Sequence, residues 1–446
     1  MREMKDSGVE WIGTMPQEWN TIHFWQAITR MGTGLNPRDN FLLTKDDELF
    51  YVTIRNFKDG KLYLDDNCDR ISKKAFAIIQ ERSDLRKGDI LFASISKEGQ
   101  AYVIKEDPEN WNINESVFCI RVNKRYYYPK FFYYVLINDA FYSSLRIDAT
   151  GTTFQSIKQN KLRTSIIVHP PLEMQTLLAD YLNLKCAAID NIIAKQEQII
   201  ERLKEYKSSI ITEAVTKGLD SRVEMKDSGI LSIGCIPKHW IALKLKYLFE
   251  KGDNGLKIGP FGSAMKGKTL EQGPYKIYNQ AHLIQNDFSL SRHFVSEETF
   301  NELKNYEVVP GDILFSMMGT VGKCQIMPQG YPKGIMDSHL LKARLNDRIL
   351  PEFFVYAYDK DYSYQAISQL LYISNGTIMN GLNSSILKNV VIALPPMEEQ
   401  KQIIKYIKSY SEKIDKRIAK LSTMVEKLNI YKKSLIYEVV TGKKEV

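Results

Sequence analysis

Residues 4–19 read MKDSGVEWIGTMPQEW and residues 225–240 read MKDSGILSIGCIPKHW, with nine of the sixteen positions identical. A match of that length inside one chain marks a duplicated unit. Outward from this pair the order is kept. The run GDILF at 88–92 returns at 311–315, and Pro129, Phe131 and Phe132 return as Pro351, Phe353 and Phe354. Thr150-Gly151-Thr152 corresponds to Asn375-Gly376-Thr377, Pro170-Pro171 to Pro395-Pro396, and Gln175 to Gln400. The chain is two copies of one unit.

Each copy changes character at its proline pair. Before it lie short β-branched and aromatic runs, at 50–54, 90–95, 117–122 and 166–168 in the first copy, broken by Gly, Asn and Asp. These predict strands. One helix is expected among them, opening at Pro129 and at Pro351, because a proline at the first helical position sacrifices no hydrogen bond. After the pair a 3-4 spacing predicts a long helix. It runs through Ile189, Ile192, Gln196, Ile199, Leu203, Tyr206 and Ile210 in the first copy, and through Ile414, Arg417, Leu421, Met424, Leu428, Tyr431 and Leu435 in the second. Some ~40 residues at 1.5 Å each make a rod of ~60 Å. The expected class is α+β. Two mixed α/β domains, 1–171 and 219–395, alternate with helices 172–218 and 396–446 that pair as an antiparallel coiled coil about a pseudo-two-fold axis. The competing reading docks each helix on its own domain.

Composition fits this plan. With 446 residues, 44% hydrophobic and 26% charged, the chain can build two or three cores without staples. The five cysteines are scattered with no C-x-x-C pair, which argues against a disulfide framework or a zinc knuckle and for a reduced, cytoplasmic setting. No apolar run approaches the ~20 residues a membrane helix needs, and the first residues do not resemble an export signal. The net charge of +8 is compatible with nucleic acid, but no segment is strongly basic, so any DNA contact must be local.

This order of domain, helix, domain, helix resembles the specificity subunits of Type I restriction-modification systems over essentially the whole chain. The residues carrying the resemblance are MKDSG followed by Ile-Gly and Pro-x-x-Trp, the GDILF run, and the helix entries PPLEMQ (170–175) and PPMEEQ (395–400). Each is short, and their duplication in fixed order is specific. The resemblance implies that each domain is a target-recognition domain reading one half of a split site in double-stranded DNA, and that the helices set the unread spacer. It implies two methyltransferase subunits beside the helices and restriction-translocation subunits in the complex. This chain would then hold no cofactor and do no chemistry, with S-adenosylmethionine and ATP on the partners. A ~60 Å rod exceeds one DNA turn of about 34 Å, which is compatible with two separated half-sites.

Other motifs point elsewhere. Residues 262–269, GSAMKGKT, satisfy the expression for a phosphate-binding loop, which needs a buried strand before it and a helix after it. Gly255, Gly259 and Pro260 precede it and Gly273-Pro274 follow, so the expectation is a flexible basic loop with Lys257, Lys266 and Lys268 near DNA. The glycine and Asn-Pro-Pro-aromatic motifs of an adenine methyltransferase are absent from the sequence. Asp89 and Asp312 with Lys97, Glu98 and Lys323 evoke a nuclease, but an aspartate after glycine is an ordinary turn residue.

Base edges in the major groove favour Arg or Lys on guanine and Asn or Gln on adenine. On loops of the first domain the candidates are Asn36, Arg38, Arg55, Asn56, Lys97, Gln100, Gln155 and Lys158. In the second they are Lys257, Lys266, Asn279, Gln280, His282, Lys323, Gln325, Asn380 and Asn383. The segments 33–47 and 252–273 share little between copies, as expected if frames position and loops choose; drift of surface loops is the competing explanation.

Overall fold

The computed structural model describes residues 2–38, 40–58, 60–146, 156–252, 255–290, 293–318, 321–359, 361–373 and 382–446. No helix among them is long and apolar enough to cross a membrane. The chain divides into two compact units, Met1–Gln196 with Thr423–Val446, and Glu197–Ser422. The expected long helices are present, a central one at Leu172–Lys217 and a C-terminal one at Met397–Val440. The unit boundaries fall inside these helices, so each unit holds a stretch of both.

In the first unit, Ala101–Val103, Ile90–Ala93, Val117–Val122 and Ile28–Thr33 form a four-stranded antiparallel sheet in that order. Beside it Trp111–Ile113 pairs parallel with Leu49–Val52, which pairs antiparallel with Asp69–Ile71. One apolar core joins Trp19, Phe24, Phe131, Phe132 and Phe141 to Leu178, Leu182 and Ile189 of the central helix and Leu435 and Val439 of the C-terminal one. The helical stretches therefore pack on the globular part as well as on each other.

The second unit repeats the plan. Leu256–Ile258, Leu340–Ala343, Ile313–Ser316 and Cys324–Ile326 form one antiparallel sheet. A second sheet orders Phe294–Val295, Tyr275–Tyr278, Gly334–Met336 and Glu307–Val308, with the middle pair parallel. Its core joins Trp240, Phe315, Phe353 and Phe354 to Ile211 and Val215 of the central helix and Ile403 and Ile407 of the C-terminal one.

The duplicated motifs acquire local reasons. MKDSG opens a hairpin, Met4–Asp6 on Thr14–Pro16 and Met225–Asp227 on Cys235–Pro237. Asp6 Oδ1 accepts the Gly8 N–H at 3.0 Å, and Asp227 Oδ1 accepts that of Gly229 at 2.9 Å, which turns the chain. The glutamine closing each PP motif is fully buried and saturated. Gln175 Oε1 accepts the Tyr128 N–H while Nε2 donates to the carbonyls of Tyr126 and Pro170. Gln400 does the same with Leu350, Arg348 and Pro395. Tyr128 and Leu350 precede Pro129 and Pro351 at the starts of Pro129–Leu136 and Pro351–Tyr358. One amide thus fastens the start of a long helix to the start of a short one, serving groups that would otherwise be orphaned.

Each long helix ends on a glycine seated against a motif tryptophan. Gly218 (φ 75°) lies where a Cβ would come within 3.2 Å of Trp240, and Gly442 (φ 73°) where it would come within 2.5 Å of Pro16 and 3.0 Å of Trp19. Positive φ and tight contact both require glycine at this helix stop. In the second unit the central helix ends beside Glu399, near the start of the C-terminal helix, and farther along Lys207 pairs with Asp415 at 2.7 Å. The two helices therefore run antiparallel.

The seam follows a different phase from the one read off the sequence. Ile193 and Gln196 are half-buried in the first unit, followed in the second by buried Ile200 and half-buried Leu203, Lys207 and Ile210. On the C-terminal helix Ile414 is buried in the second unit, where Ile418 and Leu421 are half-buried. In the first unit Val425, Leu428 and Lys432 are half-buried and Leu435 buried. Ile189, Leu203, Ile210, Ile414, Leu421, Leu428 and Leu435 therefore lie on the seam. Ile192, Ile199, Tyr206, Arg417, Met424 and Tyr431 face outward, each one residue before the inward position. Both phases satisfy a 3-4 alternation through the shared residues, and the doublets Ile192-Ile193 and Ile199-Ile200 fit either. Lysines tip the sequence the wrong way: Lys207 and Lys432 occupy seam positions by laying their stems inward and reaching Asp415 and Asp190 with their ammonium groups.

Candidate nucleic-acid interface

In the first unit the ends of four strands are laced together at one edge. Gly34, following Ile28–Thr33, donates its N–H to Asn114 O at 3.1 Å, and Asn114 donates to Val52 O at 2.9 Å. Ser94, following Ile90–Ala93, donates to Ser116 O at 2.9 Å, and Ile157 donates to Ser94 O at 2.8 Å. The loops after residues 34, 52 and 94, and the segment at 156–158, spring from this lacing. Gly34 is essential to it, because a Cβ would fall 1.7 Å from Ile113 O.

The second unit has the same edge with three of its four bonds at matching positions, while Gly259 bonds the counterpart of Val117 where Gly34 bonds Asn114. Gly259 donates to Leu340 O at 2.9 Å, Asp337 to Tyr278 O at 2.9 Å, Met317 to His339 O at 3.0 Å, and Leu382 to Met317 O at 2.7 Å. A Cβ on Gly259 would lie 1.8 Å from Asp337 O. The close approach of Gly34 and Gly259 is thus to their own backbone.

Several sequence candidates sit exposed at these edges: Arg38, Arg55, Lys97 and Lys158 in the first unit and Lys266 in the second. Asn36 is half-buried and accepts the Asn40 amide at 3.2 Å. Lys257 lies on a strand with its ammonium 5.4 Å from the Tyr306 ring centre, and Gln325 lies half-buried on a strand opposite Leu314. Gln155 and Asn380 fall outside the described residues.

The remaining candidates are engaged by hydrogen bonds or ion pairs within their own unit, Asn383 while staying exposed. Buried Asn56 accepts from the Thr53 backbone and hydroxyl and donates to Cys68 Sγ. Gln100 bridges Ser96 and Phe57 O. Asn279 and His282 close a reciprocal cap at the helix Gln280–Ile284, and His282, 3% exposed, also bonds Leu290 O. Gln280 ties Ser316 Oγ to Met318 O. Lys323 is buried against Asp359 and Asp361. Asn383 caps Ser384–Asn389. Polar residues near loops are recruited first for orphaned helix-start N–H groups and turn backbones, a demand that composition does not reveal.

The family model described as the Type I restriction modification DNA specificity domain matches residues 37–214 and again 237–423. The chain belongs to this specificity family. The specificity subunit assigned to the type I restriction enzyme MjaX of Methanocaldococcus jannaschii is 26% identical over 97% of this chain and 95% of its own length. The EcoKI specificity subunit of Escherichia coli is 22% identical over 91% of this chain and 85% of its own. A solved chain from work on complex assembly and conformational transition of the type I R-M system has the same fold, with a TM-score of 0.66 at 15% identity over 96% of this chain and 99% of that one.

The motifs that suggested enzymes have other uses in this specificity subunit. Asp89 of GDILF accepts from Arg121 Nε at 2.9 Å and from the Arg86 N–H at 3.0 Å. Its counterpart Asp312 accepts from Arg344 Nε at 2.9 Å and from the Val309 N–H at 3.0 Å. The aspartate therefore holds a turn and an arginine at the end of the neighbouring strand, Arg121 within Val117–Val122 and Arg344 just past Leu340–Ala343. Sequence reasoning missed Arg121 and Arg344, although each lies 32 residues after its aspartate, a repeat visible in the chain. Around Arg121 the network extends to Asp84, which also takes Arg30 and Arg86. Desolvation raises the Asp84 carboxyl, and the hydrogen bonds of Arg121 and Arg86 outweigh it and hold it below the ordinary range. Among the described residues no group of three His, Cys, Asp or Glu is placed to hold a metal ion.

Residues 262–269 contain the single turn Gly262–Met265, preceded by the strand Leu256–Ile258. A strand and a helical turn are thus present where neither was expected. Four residues make no lasting helix dipole, and Lys268 is paired with Glu302. The segment is an anchored turn, since Ala264 and Met265 pack against Ile277, Phe300 and Ile335.

Proposed function

We propose that each globular part of this specificity subunit reads one half of a split duplex site through its laced edge, while the paired helices set the unread spacer. One observation carries this reading: the same edge is built twice, with three of its four hydrogen bonds at matching positions, and different loops leave it. A constant frame with divergent loops is what reading two different half-sites needs, since frame contacts position and side chains at base edges specify. The central helix of 46 residues is about 70 Å long at 1.5 Å per residue, which supports a ruler longer than one DNA turn.

The outer faces of the helices support docking of two methyltransferase subunits. Leu177, Leu184 and Ile192 in the first unit, and Ile199 and Tyr206 in the second, are all at least 40% exposed. They recur at seven or eight residues along the central helix, an apolar stripe beside the seam that suits a protein partner. In this reading the chain does no chemistry, S-adenosylmethionine and ATP belong to the methyltransferase and restriction-translocation subunits, and Asp89 and Asp312 serve only the frame.

Mapping methylated adenines in cells that carry this chain and its methyltransferase tests the division of labour. Arg38→Ala is expected to change one half of the recognised site and Lys266→Ala the other. Both halves changing together under either substitution would refute it. Inserting four residues after Ile199 is expected to change the accepted spacer or break assembly, and normal activity at the old spacer would refute the ruler.

A further inference from the structure

Phe261 is 86% exposed, alone among the described phenylalanines in being exposed, and it stands on a rigid root. Two residues before it, Gly259 is locked to Leu340 O and pressed against Asp337 O. Three residues after it, Ala264 donates its N–H to Phe261 O, and Ala264 and Met265 pack into the core. The ring therefore projects from the laced edge on a turn fixed at both ends. Met318, 51% exposed, leaves the same edge on the loop after Ile313–Ser316, just beyond the bond from Met317 to His339 O. Exposed Lys266 follows in the same turn.

The strand registers give Phe261 a counterpart. Phe118 pairs with Thr33, and Leu341 pairs with Ile258; Phe92 lies across from Phe118 as Phe315 lies across from Leu341. Gly34 then matches Gly259, and Asn36 matches Phe261. The first unit places a hydrogen-bonding side chain where the second places an apolar ring.

We propose that Phe261 is a wedge that enters the stack of the bound duplex at one base step of the second unit's half-site. This rests on the reading of the edges as DNA-facing. A ring held out on a fixed turn beside a lysine matches duplex DNA, whose negative charge suits the lysine and whose stacking the ring replaces where a step opens. Its specificity is for deformability: the step it enters is a pyrimidine–purine step, the kind that unstacks most easily. The half-site read around Asn36 has no such requirement.

The test uses the full chain with its methyltransferase, bound to duplexes carrying 2-aminopurine at successive positions of the second half-site. The expected result is a fluorescence rise at one step, lost in Phe261→Ala, retained in Phe261→Leu, and absent throughout the first half-site. Affinity should fall on the order of tenfold for Phe261→Ala, as for loss of one aromatic–base stack. Sequence-selective binding by the unsubstituted chain with no rise anywhere overturns the wedge and leaves the reading of the edges standing. Loss of methyltransferase binding by Phe261→Ala in the absence of DNA also overturns it, because the ring would then be a protein contact. Binding without sequence preference overturns the reading of the edges itself.

Discussion

The indole N–H of Trp240 donates to Glu399 Oε2 at 2.9 Å, and the buried indole N–H of Trp19 has no partner among the described residues. The two tryptophans are repeats of each other, but PPMEEQ places a glutamate where PPLEMQ places Met174. Glu399 Oε2 also meets His239 Nε2 at 2.8 Å, so one carboxylate fastens the hairpin motif to the helix entry.

Replacing Glu399 with Met should make the second unit resemble the first at this point. The cost is expected to be about 1–3 kcal/mol, the penalty for leaving a buried donor unsatisfied, while Glu399→Gln, which keeps an acceptor, should lose less. Hydrogen exchange of amides in each unit measures it. An effect spread equally over both units would show that the bond is not local.

Gln175 and Gln400 each serve three backbone groups at full burial. Gln175→Leu is expected to destabilise the first unit by about 3 kcal/mol or more, since one N–H and two carbonyls lose their partner. Denaturant unfolding followed by exchange should show the loss in the first unit, and Gln400→Leu should move it to the second. Near-neutral behaviour would mean that water replaces the amide.

The two phases of the helix seam make opposite demands on neighbouring isoleucines. Ile200→Asp should destabilise the helix pair by several kcal/mol, about the cost of an unpaired charge at a buried site, as read by thermal melting. Ile199→Asp should leave the melt almost unchanged and weaken co-purification with the methyltransferase. Equal melting losses for both would return the seam to the phase expected from sequence.

The buried His282 ring ties stability to pH. Burial leads the causes that lower its pKa, opposed by hydrogen bonds to Leu290 and Asn279. The unfolded chain therefore takes up a proton as pH falls through about 6.5, before the folded chain does. With more protons bound to the unfolded state in that window, stability rises with pH there. Its share is complete above about pH 6.5 and is lost as pH falls toward the lowered value. The urea midpoint of the second unit should drop between pH 7.5 and 5, and His282→Gln should flatten that drop. An identical drop in both proteins would assign it to other groups.

Much of this fold was legible in the chain because duplication compares each residue with its own copy. The GDILF strands, the helices opening at Pro129 and Pro351, the proline-pair helix entries and the family resemblance all came from local patterns repeated in order. The candidate site was less legible. Arg38, Arg55, Lys97, Lys158 and Lys266 proved exposed, but Asn56, Gln100, Asn279, His282 and Lys323 were drawn inward to satisfy caps, turns and carboxylates.

The sequence by itself determined which segments form elements, since helix and strand periods, turn residues and proline positions act over a few neighbours. Tertiary structure alone decided which of two adjacent isoleucines faces inward, where Asp89 finds its arginine, and that Gly34 and Gly259 are pinned by their own backbone. The reason is that burial and hydrogen-bond partnership depend on groups brought close from distant parts of the chain. Lys207 can occupy a seam because Asp415 waits across it, and no window along the sequence contains both.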